Sequence, residues 1–263
     1  MGDRQFMINM DAAIGYCYAQ MLLARSRIGY ELKRRDAAKV AKEVPEKRLN
    51  CDTNDLGRFV QFRLLPLVGA FPYPPDELML MAATVVSIRP EIIIEWGTNI
   101  GVSARVFLET TRRYSIRSKI HSIDLPFDAE HFEHPKWRRG ILVRGRDVTL
   151  HEGDGLTTAM TILAANVGRS SLVFIDGDHA ETAVRREAET LWEAYPTLPI
   201  LFHDTFVDPE TNVPANGPGL AIRDLVRCER HRWTVLGTGL GRPGMTLIVP
   251  RSVPEPSDDI LRR

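Results

Sequence analysis

Cysteine is scarce in this chain: Cys17, Cys51 and Cys228 lie far apart and in no C-x-x-C spacing. A disulfide framework and a cysteine zinc site are therefore not expected, and the compartment to expect is a reducing cytoplasm. Long apolar runs are missing as well. No stretch approaches the roughly 20 residues that span a bilayer. The N-terminus, MGDRQFMINMD, carries acids where a secretory signal would have an apolar core. No membrane is expected as a partner. Neither sign of charge is in excess, since 34 Lys+Arg balance 34 Asp+Glu. A net charge of zero gives no support to nucleic acid as the main partner. What remains is 263 residues with 44% hydrophobic and 26% charged content, an ordinary globular composition and enough chain to bury a core.

The most informative stretch is PEIIIEWGTNIGVSARVFL, from Pro90 to Leu108. Three consecutive isoleucines between Glu91 and Glu95 read as a strand buried on both faces. Gly97 and Gly101 bracket a turn, and a helical pattern follows with Val102, Val106 and Phe107 on one side. Strand, turn and helix N-terminus bring free backbone N–H groups together around a small polar ligand. A dinucleotide fingerprint needs G-x-G-x-x-G, whereas this turn reads E-x-G-x-x-x-G. Glu95 beside it would repel a pyrophosphate and suits a ligand carrying an ammonium group, such as S-adenosylmethionine.

Further strands are expected at Lys119–Leu125, Val148–Asp154, Ser171–Asp176 and Pro199–Asp204. Arg232–Leu236 and Met245–Val249 form a closing antiparallel pair. Helical patterns separate them at Leu156–Val167, Ala180–Tyr195 and Gly219–Arg230, and another, Asp76–Ile88, precedes the first strand. Alternating strands and helices predict an α/β, doubly wound, mostly parallel sheet of seven strands. Its five parallel strands end on Glu95, Asp124, Asp154, Asp176 and Asp204. Ligands bind outside the carboxyl ends of such strands, so five carboxylates line one edge. Residues 1–70 read as a helical extension, a lid or an assembly element that makes a homo-oligomer expected, and 71–263 as the main domain. Within the extension Ile14 to Lys42 is helical and basic, and Phe59 to Pro75, with four prolines, reads as an irregular crossing.

With those residues in view, the chain resembles the class I S-adenosylmethionine-dependent methyltransferases. Within that class it is similar to the metal-dependent sugar O-methyltransferases and the cephalosporin hydroxylase-like proteins that share their Rossmann-like fold. The stretches PPDELMLMAATVVSIRPEIIIEWGTNIGVSA, HSIDL, HEGDG, FIDGDHAET and LFHDT carry the likeness. It implies that Glu95, Gly97, Thr98, Gly101 and Ser103 hold the methionine part of S-adenosylmethionine. Asp124 would take the ribose hydroxyls, Asp154 would lie near the adenine, and Asp176 would border the cofactor. It also implies a divalent metal at Asp176, His203 and Asp204. Oxygen ligands suit Mg²⁺, and His203, standing where an acid or amide is more usual, opens the choice to Mn²⁺ or Fe²⁺.

The reaction so implied is methyl transfer to a hydroxyl of a small molecule, a sugar or natural product, with Asp178 or His179 as base. Two alternatives stay open: a metal-independent methyltransferase using His179, and an iron oxygenase built on His179, His203 and Asp204. Phe127 to Trp137 and the prolines at 72 to 75 are lid candidates. Arg138, Arg139, Arg144 and Arg146 are candidates for an acidic group on the acceptor. His131, His134 and His151 read as exposed loop residues.

Overall fold

The computed structural model describes residues 51–126, 128–129, 136–207, 214, 216–228, 232–238 and 241–251. The chain divides into two compact units, 1–48 and 49–263. The helices expected within Ile14 to Lys42, and His131 and His134, lie outside the described residues.

Seven strands form one sheet in the order β3-β2-β1-β4-β5-β7-β6. They are β1 (Ile92–Trp96), β2 (Lys119–Asp124), β3 (Thr149–Glu152), β4 (Ser171–Ile175), β5 (Ile200–His203), β6 (Trp233–Gly237) and β7 (Met245–Pro250). The first five run parallel, and β7 pairs antiparallel with both β5 and β6. The helices are α2 (Pro75–Ile88), α3 (Val102–Arg113), α4 (Gly155–Ala164), α5 (Glu181–Ala194) and α6 (Gly217–Cys228). Ahead of them α1 runs through Thr53–Phe59, a π-helical stretch Val60–Leu64 and Leu65–Val68.

Strand periodicity sorts the side chains into two cores. Ile93, Leu172, Phe174, Leu201 and Leu247 face the side covered by α1, α2 and α3. Ile92, Ile94, Val173, Ile175 and Phe202 face α4, α5 and α6. Both faces are covered, so a central strand needs apolar residues at successive positions, and β1 is buried along its whole length.

The irregular crossing expected from Phe59 onward is corrected by α1. Asp52 caps this helix, accepting from the N–H groups of Asn54 (3.0 Å) and Asp55 (3.2 Å). Leu56, Phe59, Val60 and Leu64 pack into the same core as α2. Pro66 has no N–H to give the turn before it, and the helix widens to π geometry there instead of ending. Residues 53–68 thus pack as part of the unit that carries the sheet.

Candidate functional site

The turn after β1 is built around two glycines with left-handed backbones, Gly97 (φ 92°) and Gly101 (φ 89°). A Cβ on Gly97 would lie 1.8 Å from the carbonyl oxygen of Asp176, so only glycine lets β1 and β4 release their chains side by side here. Gly101 caps α3 without any side-chain acceptor, leaving the first N–H groups of the helix available to a ligand.

Glu95, next to the last residue of this strand, is fully buried and accepts hydrogen bonds from Ser103 and Ser122. Thr98 joins the cluster through Ser122 (2.6 Å). Burial pushes the Glu95 carboxyl up to about 7, against the lowering effect of the two serines. A carboxyl raised in the folded state favours folding at low pH. Its contribution is complete below the ordinary value of 4.5 and is lost as pH rises to about 7. Replacing Glu95 with glutamine therefore removes part of the stability decline between pH 4.5 and 7. Urea unfolding of both proteins across that window measures it, and parallel curves would show that Glu95 is already ionised.

Asp124 ends β2, where its carboxylate accepts from the backbone N–H groups of Asn99 (3.1 Å) and Leu125 (2.8 Å). Arg139, one of the arginines expected to read an acceptor, points the other way. Its Nε lies 3.5 Å from Asp124 and its Nη1 3.8 Å from Glu152. Asp154 acts as the N-cap of α4, accepting from the Thr157 N–H at 2.8 Å. Hydrogen bonding from the Thr157 side chain, and then from its backbone N–H, holds the Asp154 carboxyl below its ordinary value. His151 lies on β3, partly buried, and its Nε2 is 2.9 Å from Nδ1 of His121 on β2, which corrects its reading as an exposed loop residue.

The densest polar group joins β4, β5 and α2. Asp176 follows β4, and its Oδ1 lies 2.9 Å from His203 Nδ1. Its Oδ2 accepts from the buried hydroxyl of Tyr73. His203 ends β5 at 5% exposure, and its Nδ1 is also 3.3 Å from Oδ2 of Asp204. On the other side of the ring, Nε2 faces the fully buried Glu77 of α2 at 3.2 Å. That contact is an ion pair without good hydrogen-bond alignment, and Nε2 and Glu77 Oε2 make no hydrogen bond. Glu77 accepts from the Gly244 N–H at 2.7 Å with its other oxygen.

Burial by itself would lower the His203 pKa, but Asp176, then Asp204 and Glu77, outweigh it and hold the imidazole well above its ordinary range. Burial raises Asp204, yet the hydrogen bond and charge of His203 win and hold it low. Asp204 itself sits at φ 56°, a backbone that a non-glycine residue adopts at a cost. Burial, followed by the Asp176 charge, pushes the Tyr73 phenol well up.

His179 completes the group from the loop after β4. Its Nε2 is 3.2 Å from Asp204 Oδ2 and 3.9 Å from Asp176 Oδ1, with about half of the side chain exposed. Asp178, the other candidate base, accepts from the Ala180 N–H at 2.8 Å and so shapes the loop into α5. Gly217, opening α6, fits against this loop because a Cβ there would lie 2.2 Å from the His179 carbonyl oxygen.

The donor set fits a divalent cation. Asp176, His203 and Asp204 each offer one atom within 4.8 Å of the others. The far nitrogen of the imidazole faces a carboxylate, the usual support of a ligating histidine. Two carboxylates and one imidazole suit Mn²⁺ or Fe²⁺ at least as well as Mg²⁺. Glu77 and Tyr73 were not singled out in the sequence. PYPPDE reads as a helix start, where an acid ordinarily faces solvent, and only the packing of α2 turns Glu77 inward.

Residues 94–205, from within β1 to just past β5, match the family model of a methyltransferase domain. The strand order with its reversed β7 is that of the class I methyltransferase fold. The stretch from β1 to β5 is thus similar to a methyltransferase domain. No protein of curated function matches it. Several solved structures are similar to it. The S-adenosylhomocysteine-bound methyltransferase PaMTH1 of Podospora anserina is 19% identical, covering 84% of this chain and 96% of its own, with a TM-score of 0.48. The O-methyltransferase TomG of Streptomyces achromogenes is 16% identical over 83% and 96%, with a TM-score of 0.47. CalS11, a TDP-rhamnose 3'-O-methyltransferase, is 18% identical over 75% and 92%, with a TM-score of 0.46.

Proposed function

We propose that this protein methylates a hydroxyl of a small molecule, using S-adenosylmethionine, with a divalent cation at Asp176, His203 and Asp204. The carrying observation is the cluster itself: two carboxylates at the ends of adjacent strands share one imidazole nitrogen, with a second imidazole, His179, at their open side. A cation bound there would supply charge that stabilises a developing alkoxide and orients the acceptor oxygen.

The chain's own residues account for the proton. His179 would take it from the acceptor hydroxyl, and Asp204, whose Oδ2 lies 3.2 Å from the ring, would stabilise the imidazolium that results. Asp178 is already engaged with backbone, which favours His179 as base. In this reading the cofactor's ammonium end lies by Glu95 and the α3 N-terminus, and its ribose by Asp124. Displacement of Arg139 from Asp124 accompanies ribose binding, because the guanidinium covers that carboxylate.

A second reading has support in the same cluster. A protonated His203 already relieves the repulsion between Asp176 and Asp204, and His179 would then act without a metal. Chelation separates the two. Exhaustive EDTA treatment should abolish transfer to a hydroxyl acceptor, Mn²⁺ or Mg²⁺ should restore it, and Asp204→Ala should be inactive with S-adenosylhomocysteine affinity within about threefold. Full activity after chelation would establish the metal-free reading.

A further inference from the structure

Away from the strand ends, α1 and α3 border a cleft of about 590 Å³. Among the described residues every cation lining it is an arginine: Arg58 and Arg63 from α1, Arg105, Arg112 and Arg113 from α3, and Arg146 from the loop before β3. Two acids, Asp55 and Glu109, line it with them. Among the described lining residues arginines outnumber acids six to two, on a chain whose formal net charge is zero.

Part of this concentration has a structural explanation. Arg112 and Arg113 occupy the last turn of α3, where cations complement the helix dipole. Arg113 pairs with Asp55 at 2.9 Å, and Arg112 with Asp147 at 2.5 Å. The buried Arg105 holds Glu109 at 2.9 Å, and Arg63 reaches the same carboxylate at 3.3 Å. Arg58 and Arg146 are not explained in this way. Among the described residues neither has a carboxylate partner. Arg146 is oriented instead by its Nε donating to the Leu142 carbonyl at 3.1 Å. Four of the six guanidinium groups are thus engaged with carboxylates, two of them on the same Glu109, while Arg58 and Arg146 keep donors to spare.

We propose that this cleft binds a small phosphate-bearing molecule, separately from the methyl-transfer site. Guanidinium groups match phosphate oxygens in a planar, bidentate way that lysine does not, and among the described residues the lining holds no lysine. The volume falls in the range of small-molecule sites, roughly 300–1,000 Å³. The balanced overall charge gives a long polyanion no extended track. Phe62, 73% exposed at the cleft, offers a flat apolar surface to the organic part of the ligand.

Calorimetry on the full chain tests this with pyrophosphate and ADP as probes. EDTA keeps cations from bridging phosphate to Asp176 and Asp204, and saturating S-adenosylhomocysteine blocks the adenine subsite. Pyrophosphate should bind with one-to-one stoichiometry, and Arg58→Gln with Arg146→Gln should weaken it at least tenfold. ADP should bind more tightly than pyrophosphate, with Phe62→Ala removing the difference. Absence of pyrophosphate binding at millimolar concentration, or binding indifferent to the double variant, overturns the site. ADP binding no tighter than pyrophosphate overturns the role of Phe62. Unchanged S-adenosylhomocysteine affinity in the double variant is expected. A parallel loss would mean that the cleft and the cofactor site are not separate, and would overturn that part.

Discussion

His179→Ala lowers kcat by about 10²–10⁴-fold, the usual contribution of a general base, while S-adenosylhomocysteine affinity stays within about twofold. His179 is the accessible member of the acid–imidazole group: half exposed, it sits 3.2 Å from the Asp204 carboxylate. His203, in contrast, is almost fully buried and held on both sides by carboxylates. A base must reach the substrate, and of the two histidines in this group His179 combines reach with a carboxylate to steady its charged form. The pH–rate profile separates it from its neighbour. Asp178→Ala removes a hydrogen bond to Ala180 and costs about 1 kcal/mol of stability, but it keeps the rising limb of the profile. His179→Ala loses that limb. Retention of the limb in His179→Ala, with its loss in Asp178→Ala, would reverse the assignment. Because His179 is half exposed, its loss should move the urea midpoint little, which keeps a kinetic defect distinct from unfolding.

The sheet was legible because a strand covered on both faces has to be apolar throughout. Ile92 to Ile94 and Leu172 to Ile175 satisfy that requirement with no competing helical period. The acids that close the strands were legible for the same reason, since a charge ends an apolar run. Their separate tasks were not. Asp154 caps a helix and Asp204 meets two histidines, and the same position in the sequence pattern describes both. The π-widened α1 was missed because prolines at 66, 72, 74 and 75 read as an uninterrupted break. The helix accommodates the first of them and ends before the rest. Tyr73 and Glu77 act across more than 90 residues of sequence, at Asp176 and His203. No local period encodes such a contact.

Glu77→Ala should be the most destabilising single change near the site, costing about 3–5 kcal/mol, the range for breaking a buried charge pair by removing one partner. The side chain is fully buried, with one oxygen on the Gly244 N–H at 2.7 Å and the other facing His203 at 3.2 Å. Alanine leaves the Gly244 donor unsatisfied and strips a carboxylate from an imidazole that is 5% exposed. It also leaves a cavity between α2 and the β6–β7 connection. Burial raises the Glu77 carboxyl, against the opposing pull of His203 and the Gly244 bond. The acid is therefore costly to bury, and its two partners offset that cost. Glu77→Gln tells those partners apart, because an amide oxygen still accepts from Gly244 but brings no negative charge to His203. If the charge matters, glutamine should lose about half as much as alanine, and urea denaturation near pH 7 should rank wild type above glutamine above alanine. A glutamine variant as stable as wild type would mean that His203 does not depend on the Glu77 charge. An alanine variant within about 1 kcal/mol of wild type would remove Glu77 from the supporting structure of the site altogether.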